Sequence, residues 1–499
     1  MFRYRYDENF DGYVIADYIY SKGENFDVTI PAMHKGKPVV AIDYGAFVDS
    51  DVRSVTVPRG VKQIGSMAFA GCAKLEEVVL SDTVEYIGSE TFFYDDEGNY
   101  PALNSFGGGY YAGTADEPLY ALIKASDDYD GEFVVPDGTR VIAENAFTRS
   151  RVTKVKISAT VACVGEFAFF RCDGLRKIVV DEKNAVYRSD GGCLIERDGD
   201  ILIAGGSDSV IPSGVRKIGE FAFANTGLER ALIPDGVTSI GALAFDQCEK
   251  LKEVRLPDSL ESLDGAAFAN CDALRGNEKD GILYLGNEKH PRLAAIAIVN
   301  ESEKIIIIDT GAKFICSLNG DKSCLEEAVI PNSVIEIGDG AFSNSALKAV
   351  TIPDSVKRIG VFAFDHCGKL TSVSFGNGVE EIGACAFSGC EALTSVVIPE
   401  SVKKLGQQAF FACKSLRRGE IGGGIETISG GTFTFCSALS EVVIREGVKR
   451  IENAAFSLCN ALAKVTLPST VVDITGLKDT KAEPIYRGTP EQWQKVKKG

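Results

Sequence analysis

Residues 396–416 read VVIPESVKKLGQQAFFACKSL, and residues 373–393 read VSFGNGVEEIGACAFSGCEAL. Both fit one phrase, V-x-(I/F)-x-x-x-V-x-x-(I/L)-G-x-x-A-F-x-x-C-x-x-L, and its spacing decides the fold. The Val-x-Ile alternation is strand-like, because successive side chains of a strand point to opposite faces. Val396 and Ile398 are expected to point inward, and Ser395 and Val397 outward. Pro399 ends the strand, since proline cannot donate to a ladder. Val402 and Leu405 form a second apolar pair that returns along the other side. Gly406 is expected to permit a turn. Ala409 and Phe410 then plug the core before the next coil begins. One coil cannot bury these residues alone, but a stack can. Parallel strands of successive coils are expected ~4.8 Å apart.

The phenylalanine marks the register along the whole chain. It stands at positions 47, 69, 92, 147, 169, 223, 245, 268, 342, 364, 387, 410, 433 and 456. Within unbroken runs the spacing is 22 or 23 residues. A fifteenth, degenerate copy has Asn319-Gly320 where Ala-Phe is expected. A repeat of this length with this apolar spacing defines a leucine-rich repeat. The predicted fold is therefore a β-rich solenoid of the α/β type. It is expected to be a horseshoe with a parallel sheet on its concave face, and short strands and turns on its convex face.

The phrase closely resembles the BspA-type leucine-rich repeat of bacterial surface proteins and some protozoan parasites. The resemblance runs over roughly residues 29–476. The tail Ile485-Tyr486-Arg487-Gly488-Thr489-Pro490-Glu491-Gln492-Trp493 also resembles the closing segment of such arrays. Trp493, the single tryptophan, is expected to plug the last coil, since solenoid ends need a cap. Residues 1–28 are read as an N-terminal cap or lead hairpin, 29–476 as the solenoid of about 15 repeats, and 477–499 as a C-terminal cap. Irregular insertions fall near 94–131, 181–210 and 272–312. The last two contain apolar runs such as ILYLG and RLAAIAIV, and are expected to form hairpins that continue the stack.

One rule operates inside the repeat. The residue three after the marker is cysteine at 72, 172, 248, 271, 367, 390, 413, 436 and 459, and Ser50, Ser150, Thr226 or Ser345 in four other copies. Copies with serine or threonine are followed by the next marker after 22 residues, and cysteine copies in a continuing run after 23. The shorter coil is expected to turn more tightly there, its hydroxyl bonded to nearby backbone.

Composition excludes several function classes. The net charge is −17, from 70 acidic and 53 basic residues. Such a chain repels nucleic acid and anionic membrane. No stretch approaches the ~18 apolar residues of a membrane span, so no membrane insertion is expected. The opening MFRYRYDENFDGYVIADYIY is interrupted by acidic residues and lacks the apolar stretch of a secretory signal. Nine of the fourteen cysteines share one repeat position. Their side chains are expected to run parallel instead of converging, so they read as buried structural thiols. Largely free thiols fit a reducing compartment.

No catalytic constellation emerges. His34, His290 and His366 are scattered, and no C-x-x-C, P-loop or G-x-G-x-x-G phrase occurs. No enzyme activity, no cofactor and no metal site is expected. Binding candidates fall in two places. Tyr100, Phe106, Tyr110 and Tyr111 lie among glycines and acids in the 94–120 segment. Aromatics there suit protein or carbohydrate binding, or pack onto the coil edge. Lys154, Lys156 and Lys177 form a small basic spot on the outward strand positions, which otherwise reads as a solvated face. The resemblance implies a non-enzymatic protein-binding scaffold. Its ligand would be a protein, such as a host extracellular protein in adhesion at a cell surface. An intracellular interaction scaffold and a carbohydrate-binding module using the aromatic loop are the alternatives. By resemblance the chain is surface-exposed or secreted. A genuinely absent signal implies a cytoplasmic chain instead, and a signal removed beforehand leaves the surface expectation standing.

Overall fold

The computed structural model describes residues 1–19, 26–93, 100, 102–478 and 480–496. It is a β-solenoid of stacked coils, with short helices only at Thr475–Leu477 and Pro490–Val496 among the described residues. Two compact units are present: residues 1–229 with 245–251, and residues 230–244 with 252–499.

In the second unit the strand Ser395–Ile398 alternates as its sequence demands, with Val396 and Ile398 buried and Ser395 and Val397 exposed. It pairs in parallel with Arg418–Ile421, with Ser395 opposite Arg418 and Ile398 opposite Ile421. The chain turns after Pro399, buries Val402, and forms the two-residue strand Lys404–Leu405 on the other side of the core. Glycine at 406 has a different reason from the expected turn. A Cβ there would lie 2.2 Å from the Ala384 nitrogen of the preceding coil. Glycine is needed because two backbones approach closely. The left-handed residues of this coil are instead Gln408 (φ 57) and Ala412 (φ 55), which flank the marker Phe410.

The marker phenylalanines form ladders of near-parallel rings. In the second unit Phe342, Phe364, Phe387, Phe410, Phe433 and Phe456 follow one another with centroids 5.0–5.5 Å apart. In the first unit Phe47, Phe69 and Phe92 form one run, Phe147 and Phe169 a second, and Phe223 and Phe245 a third. The spacing follows from the strands. Parallel strands ~4.8 Å apart place one ring per coil at about that distance.

Long and short coils differ where expected. After each repeat cysteine an extra turn forms, such as Leu393 N–H to Cys390 O at 3.1 Å. The short coils omit it, and the strand Arg151–Ile157 begins directly after Ser150. In two of them the hydroxyl caps the turn, with Ser150 Oγ donating to Phe147 O at 2.8 Å and Thr226 Oγ1 to Phe223 O at 2.7 Å, whereas Ser50 Oγ and Ser345 Oγ meet the Cys72 and Cys367 thiols of the next coil at 3.3 and 3.1 Å.

The leads are antiparallel three-stranded meanders. They comprise Asn104–Phe106, Gly109–Thr114 and Ala121–Ala125; then Tyr187–Asp190, Cys193–Glu196 and Ile201–Ala204; then Asn277–Lys279, Ile282–Leu285 and Ala294–Ile298. Each starts with a two-residue turn of positive φ at both positions: Gly107-Gly108, Gly191-Gly192 and Asp280-Gly281. This is the mirror-image turn that matches strand twist. Each last strand then pairs in parallel with a strand of the following coil, as Leu122 does opposite Ile142. The copy around Asn319-Gly320 replaces its marker with the strand Phe314–Asn319, which buries Phe314, Ile315, Cys316 and Leu318.

The hairpin of Phe2–Asp7 and Gly12–Tyr18 pairs in parallel with Lys37–Ile42, and Tyr18 stacks on the first marker, Phe47, at 4.9 Å. At the other end Glu483–Tyr486 pairs with Lys464–Leu467, Trp493 stacks on Tyr486 at 5.0 Å, and both pack against the core.

Candidate functional site

The outward positions of the longer strands are the surface that the coil geometry leaves open. In the first unit Glu132, Lys154 and Lys177 form one cross-strand row, and Val134, Lys156 and Val179 the next. The basic spot holds a carboxylate at its centre. Lys154 Nζ lies 2.7 Å from one oxygen of Glu132, and Lys156 pairs with the other. These hydrogen bonds, first from Lys154 and then from Lys156, hold the Glu132 carboxyl below the usual range. Lys177 stands exposed on the next strand. The three lysines are thus brought together, with part of their charge already met.

In the second unit the strand Ile305–Ile307 pairs in parallel with Glu327–Val329. Ile306 is buried, while Ile305 is 53%, Ile307 57% and Val329 43% exposed. Ile307 lies directly opposite Val329, and Ile305, on the same face of its strand, lies opposite the exposed Glu327. Beside it Glu326 bridges Lys304, at 3.1 Å, and Lys348. In the sequence Ile305 to Ile308 is a plain apolar run. Strand alternation was the signal that two of the four face solvent.

The aromatic group of the first lead is divided by the structure. Tyr111 is fully buried in the core and offers no surface to a ligand. Its hydroxyl has no hydrogen-bond partner among the described residues. Tyr110, on the opposite face of the strand, tilts against Tyr100 with centroids 5.0 Å apart. Phe106 stands exposed at the hairpin tip. Residues 94–99 and 101 of the same segment lie outside the described residues. Tyr100 and Tyr110 line a hollow of about 690 Å³ together with Asp127, Asp128, Glu144 and Arg149. Burial pushes the Tyr100 phenol up to about 12, so it is a neutral donor at physiological pH.

The repeat cysteines are buried and free, and burial pushes thiols such as Cys248 and Cys367 up to about 11. A thiolate nucleophile needs the opposite shift. The histidines stand apart: His34 stacks on Tyr4, His290 pairs with Asp258, and His366 pairs with Asp365. No helix of the described residues is long and apolar enough to cross a membrane.

Fold and surface together define a leucine-rich-repeat solenoid, a repeat scaffold with no enzyme-family architecture. The chain belongs to the BspA type leucine rich repeat region family, whose profile matches in six copies over residues 15–99, 131–190, 207–287, 320–380 and 357–477. Among solved structures it is similar to a leucine rich cell surface protein from Faecalibacterium prausnitzii, at 20% identity, covering 99% of this chain and 95% of that one, with a TM-score of 0.26. A leucine-rich repeat protein from Bacteroides ovatus is 22% identical over 97% of this chain and 98% of its own, with a TM-score of 0.29. The pneumococcal vaccine antigen PcpA is 16% identical over 95% and 92%, with a TM-score of 0.33. No curated protein matches the chain.

Proposed function

We propose that this chain is a non-enzymatic scaffold that binds a protein partner through the outward face of its longer strands. The observation that carries the reading is the exposure of Ile305, Ile307 and Val329. A one-sided strand normally turns polar residues to water. Three neighbouring β-branched apolar residues there leave hydrophobic surface that a partner would remove from solvent. The ion pairs of Lys304, Glu326 and Lys348 beside it suit the polar rim of an interface. Adhesion at a cell surface is the finer role that family membership suggests, with an intracellular interaction scaffold as its rival.

The test compares the full chain with the triple variant Ile305→Lys, Ile307→Lys, Val329→Lys, both immobilised. A polypeptide that binds saturably to the first and is lost from the second supports the reading, provided both melt alike. Equal binding to both contradicts it. Protease treatment of intact source cells separates the two finer roles: digestion with a cytoplasmic control spared supports adhesion, and protection until lysis supports the intracellular scaffold.

A second reading is favoured by the Tyr100 and Tyr110 pair. Two adjacent phenols lining a hollow with Asp127, Asp128 and Glu144 offer the apolar faces and hydroxyl acceptors that a glycan needs. Glycan binding that survives Tyr110→Ala and Tyr100→Ala excludes this hollow as its site.

A further inference from the structure

A phenylalanine ladder of the first unit stops at Phe169. That ring stacks on Phe147 at 5.0 Å and 5°. The next marker, Phe223, stacks on Phe245 at 5.1 Å and 2°. Between the two runs comes the Tyr187–Ala204 meander, and Gly205 lies over the Phe223 ring. A Cβ on Gly205 would sit 2.1 Å from a ring carbon of Phe223. On the Phe169 side this leaves a hollow of about 250 Å³, lined by Phe169, Ile203, Gly205 and Ala222.

Three more phenylalanines line the hollow: Phe167, Phe170 and Phe221. Phe221 meets Phe167 edge-on at 4.8 Å and Phe170 at 5.5 Å. None occupies a core position of the repeat. Phe167 and Phe221 stand two before their markers, at left-handed φ of 55 and 54, a variable position where other coils carry Glu90, Asn145 or Gln408 but also Met67, Leu243 or Phe362. Phe170 follows its marker directly. All three are half-buried, and the exposed Glu166 and Glu220 complete the lining.

We propose that this hollow binds a small aromatic amine, its ring continuing the ladder beyond Phe169. An apolar cavity of ~150 Å³ already suffices to hold benzene. A planar ring here gains a parallel face from Phe169 and edges from the three outer phenylalanines, the arrangements aromatic pairs prefer. Glu166 and Glu220 favour an ammonium substituent and oppose a carboxylate. The proposal is independent of the strand-face reading, because it concerns the turn edge of the coils.

The test is calorimetric titration of the full chain at low ionic strength with tryptamine, indole and indole-3-acetate. Tryptamine is expected to bind more tightly than indole, and indole more tightly than indole-3-acetate. Ala222→Leu, which fills the hollow, abolishes tryptamine binding. Phe221→Ala, which removes a wall, weakens it by about tenfold or more, the equivalent of one lost aromatic contact. Glu166→Gln with Glu220→Gln erases the preference for tryptamine over indole. If Ala222→Leu fails to fold, Phe221→Ala decides. No binding of tryptamine at millimolar concentration overturns the proposal. So does unchanged binding in a folded Phe221→Ala, or indole-3-acetate binding as tightly as tryptamine.

Discussion

The Cys390 thiol donates a 3.2 Å hydrogen bond to the backbone carbonyl of Phe364, one coil earlier. The same bond runs from Cys413 to Phe387, Cys436 to Phe410 and Cys459 to Phe433. The Phe364, Phe387 and Phe433 carbonyls also accept a backbone N–H within their own coil, from Cys367, Cys390 and Cys436, so the thiol fills their second acceptor site. The repeat cysteine is therefore both a small buried hydrophobe and a donor that ties one coil to the next. Cys413→Ala is expected to cost about 1–3 kcal/mol, from lost volume and the loss of a second hydrogen bond to the Phe387 carbonyl, which keeps its bond from the Cys390 N–H. Cys413→Ser is expected to cost less, because a hydroxyl there has the same acceptor in reach. Urea denaturation of the two variants checks the order. Serine costing more than alanine would count against the donor role.

The same burial sets the chemistry of the thiols. Cys193 is pushed up to about 12, and Cys248 and Cys367 to about 11, from an ordinary value of 9.0. Folding thus favours the protonated form. This stabilisation is full below pH 9 and is lost as pH rises through about 11 to 12. Stability is expected to decline above pH 9, read as a falling urea midpoint. At pH 8 a thiol reagent should label the exposed Cys324 quickly and the repeat cysteines only on unfolding. Rapid labelling of the repeat cysteines in the native chain would contradict the buried ladder.

Tyr110 and Tyr111 are sequence neighbours with opposite fates. Tyr111→Ala should cost about 3–5 kcal/mol, as for other large core truncations. Tyr111→Phe should stabilise by about 1 kcal/mol, since its buried hydroxyl lacks a partner among the described residues. Tyr110→Ala should change stability little. Thermal melts of the three variants decide it, and equal losses at 110 and 111 would refute the assigned register.

The hairpin turn of the first lead makes a paired prediction. Gly107 and Gly108 both have positive φ, 55 and 81. A Cβ at Gly107 meets nothing within 4 Å, whereas one at Gly108 would sit 1.9 Å from the Tyr129 ring. Gly107→Asn should be nearly neutral, because asparagine tolerates this conformation. Gly108→Ala should cost about 1–3 kcal/mol from strain and displacement of that ring. Melting temperatures give the comparison, and a tolerated Gly108→Ala would remove the turn assignment.

The coil was legible in the sequence because one pattern is written fourteen times over. Inward Val396 and Ile398, outward Ser395 and the plug Phe410 all stand where spacing placed them. What single-coil reading missed depends on neighbouring coils. Within one coil Gly406 reads as a turn residue, but its role is set by the Ala384 backbone beside it. The pairing of Lys154 and Lys156 needs Glu132, which sits at the border of the segment read as irregular, so no register was available to find it. Tyr110 and Tyr111 stand in the sequence as one aromatic group, open both to ligand binding and to packing on the coil edge. The Gly-Gly turn before them was the signal for a hairpin, which sends adjacent side chains to opposite faces. The Phe167, Phe170 and Phe221 cluster joins variable positions across an interruption, which no periodicity reveals.

The outward strand face is expected to receive a protein partner. The most direct test is hydroxyl-radical footprinting of the full chain, alone and saturated with the polypeptide retained in the capture experiment. Ile305, Ile307 and Val329 are expected to be protected, with the turn-edge residues Phe167 and Phe221 labelled as before. Protection confined to the turn edge or the meander hairpins, with Ile305, Ile307 and Val329 still labelled, would contradict it.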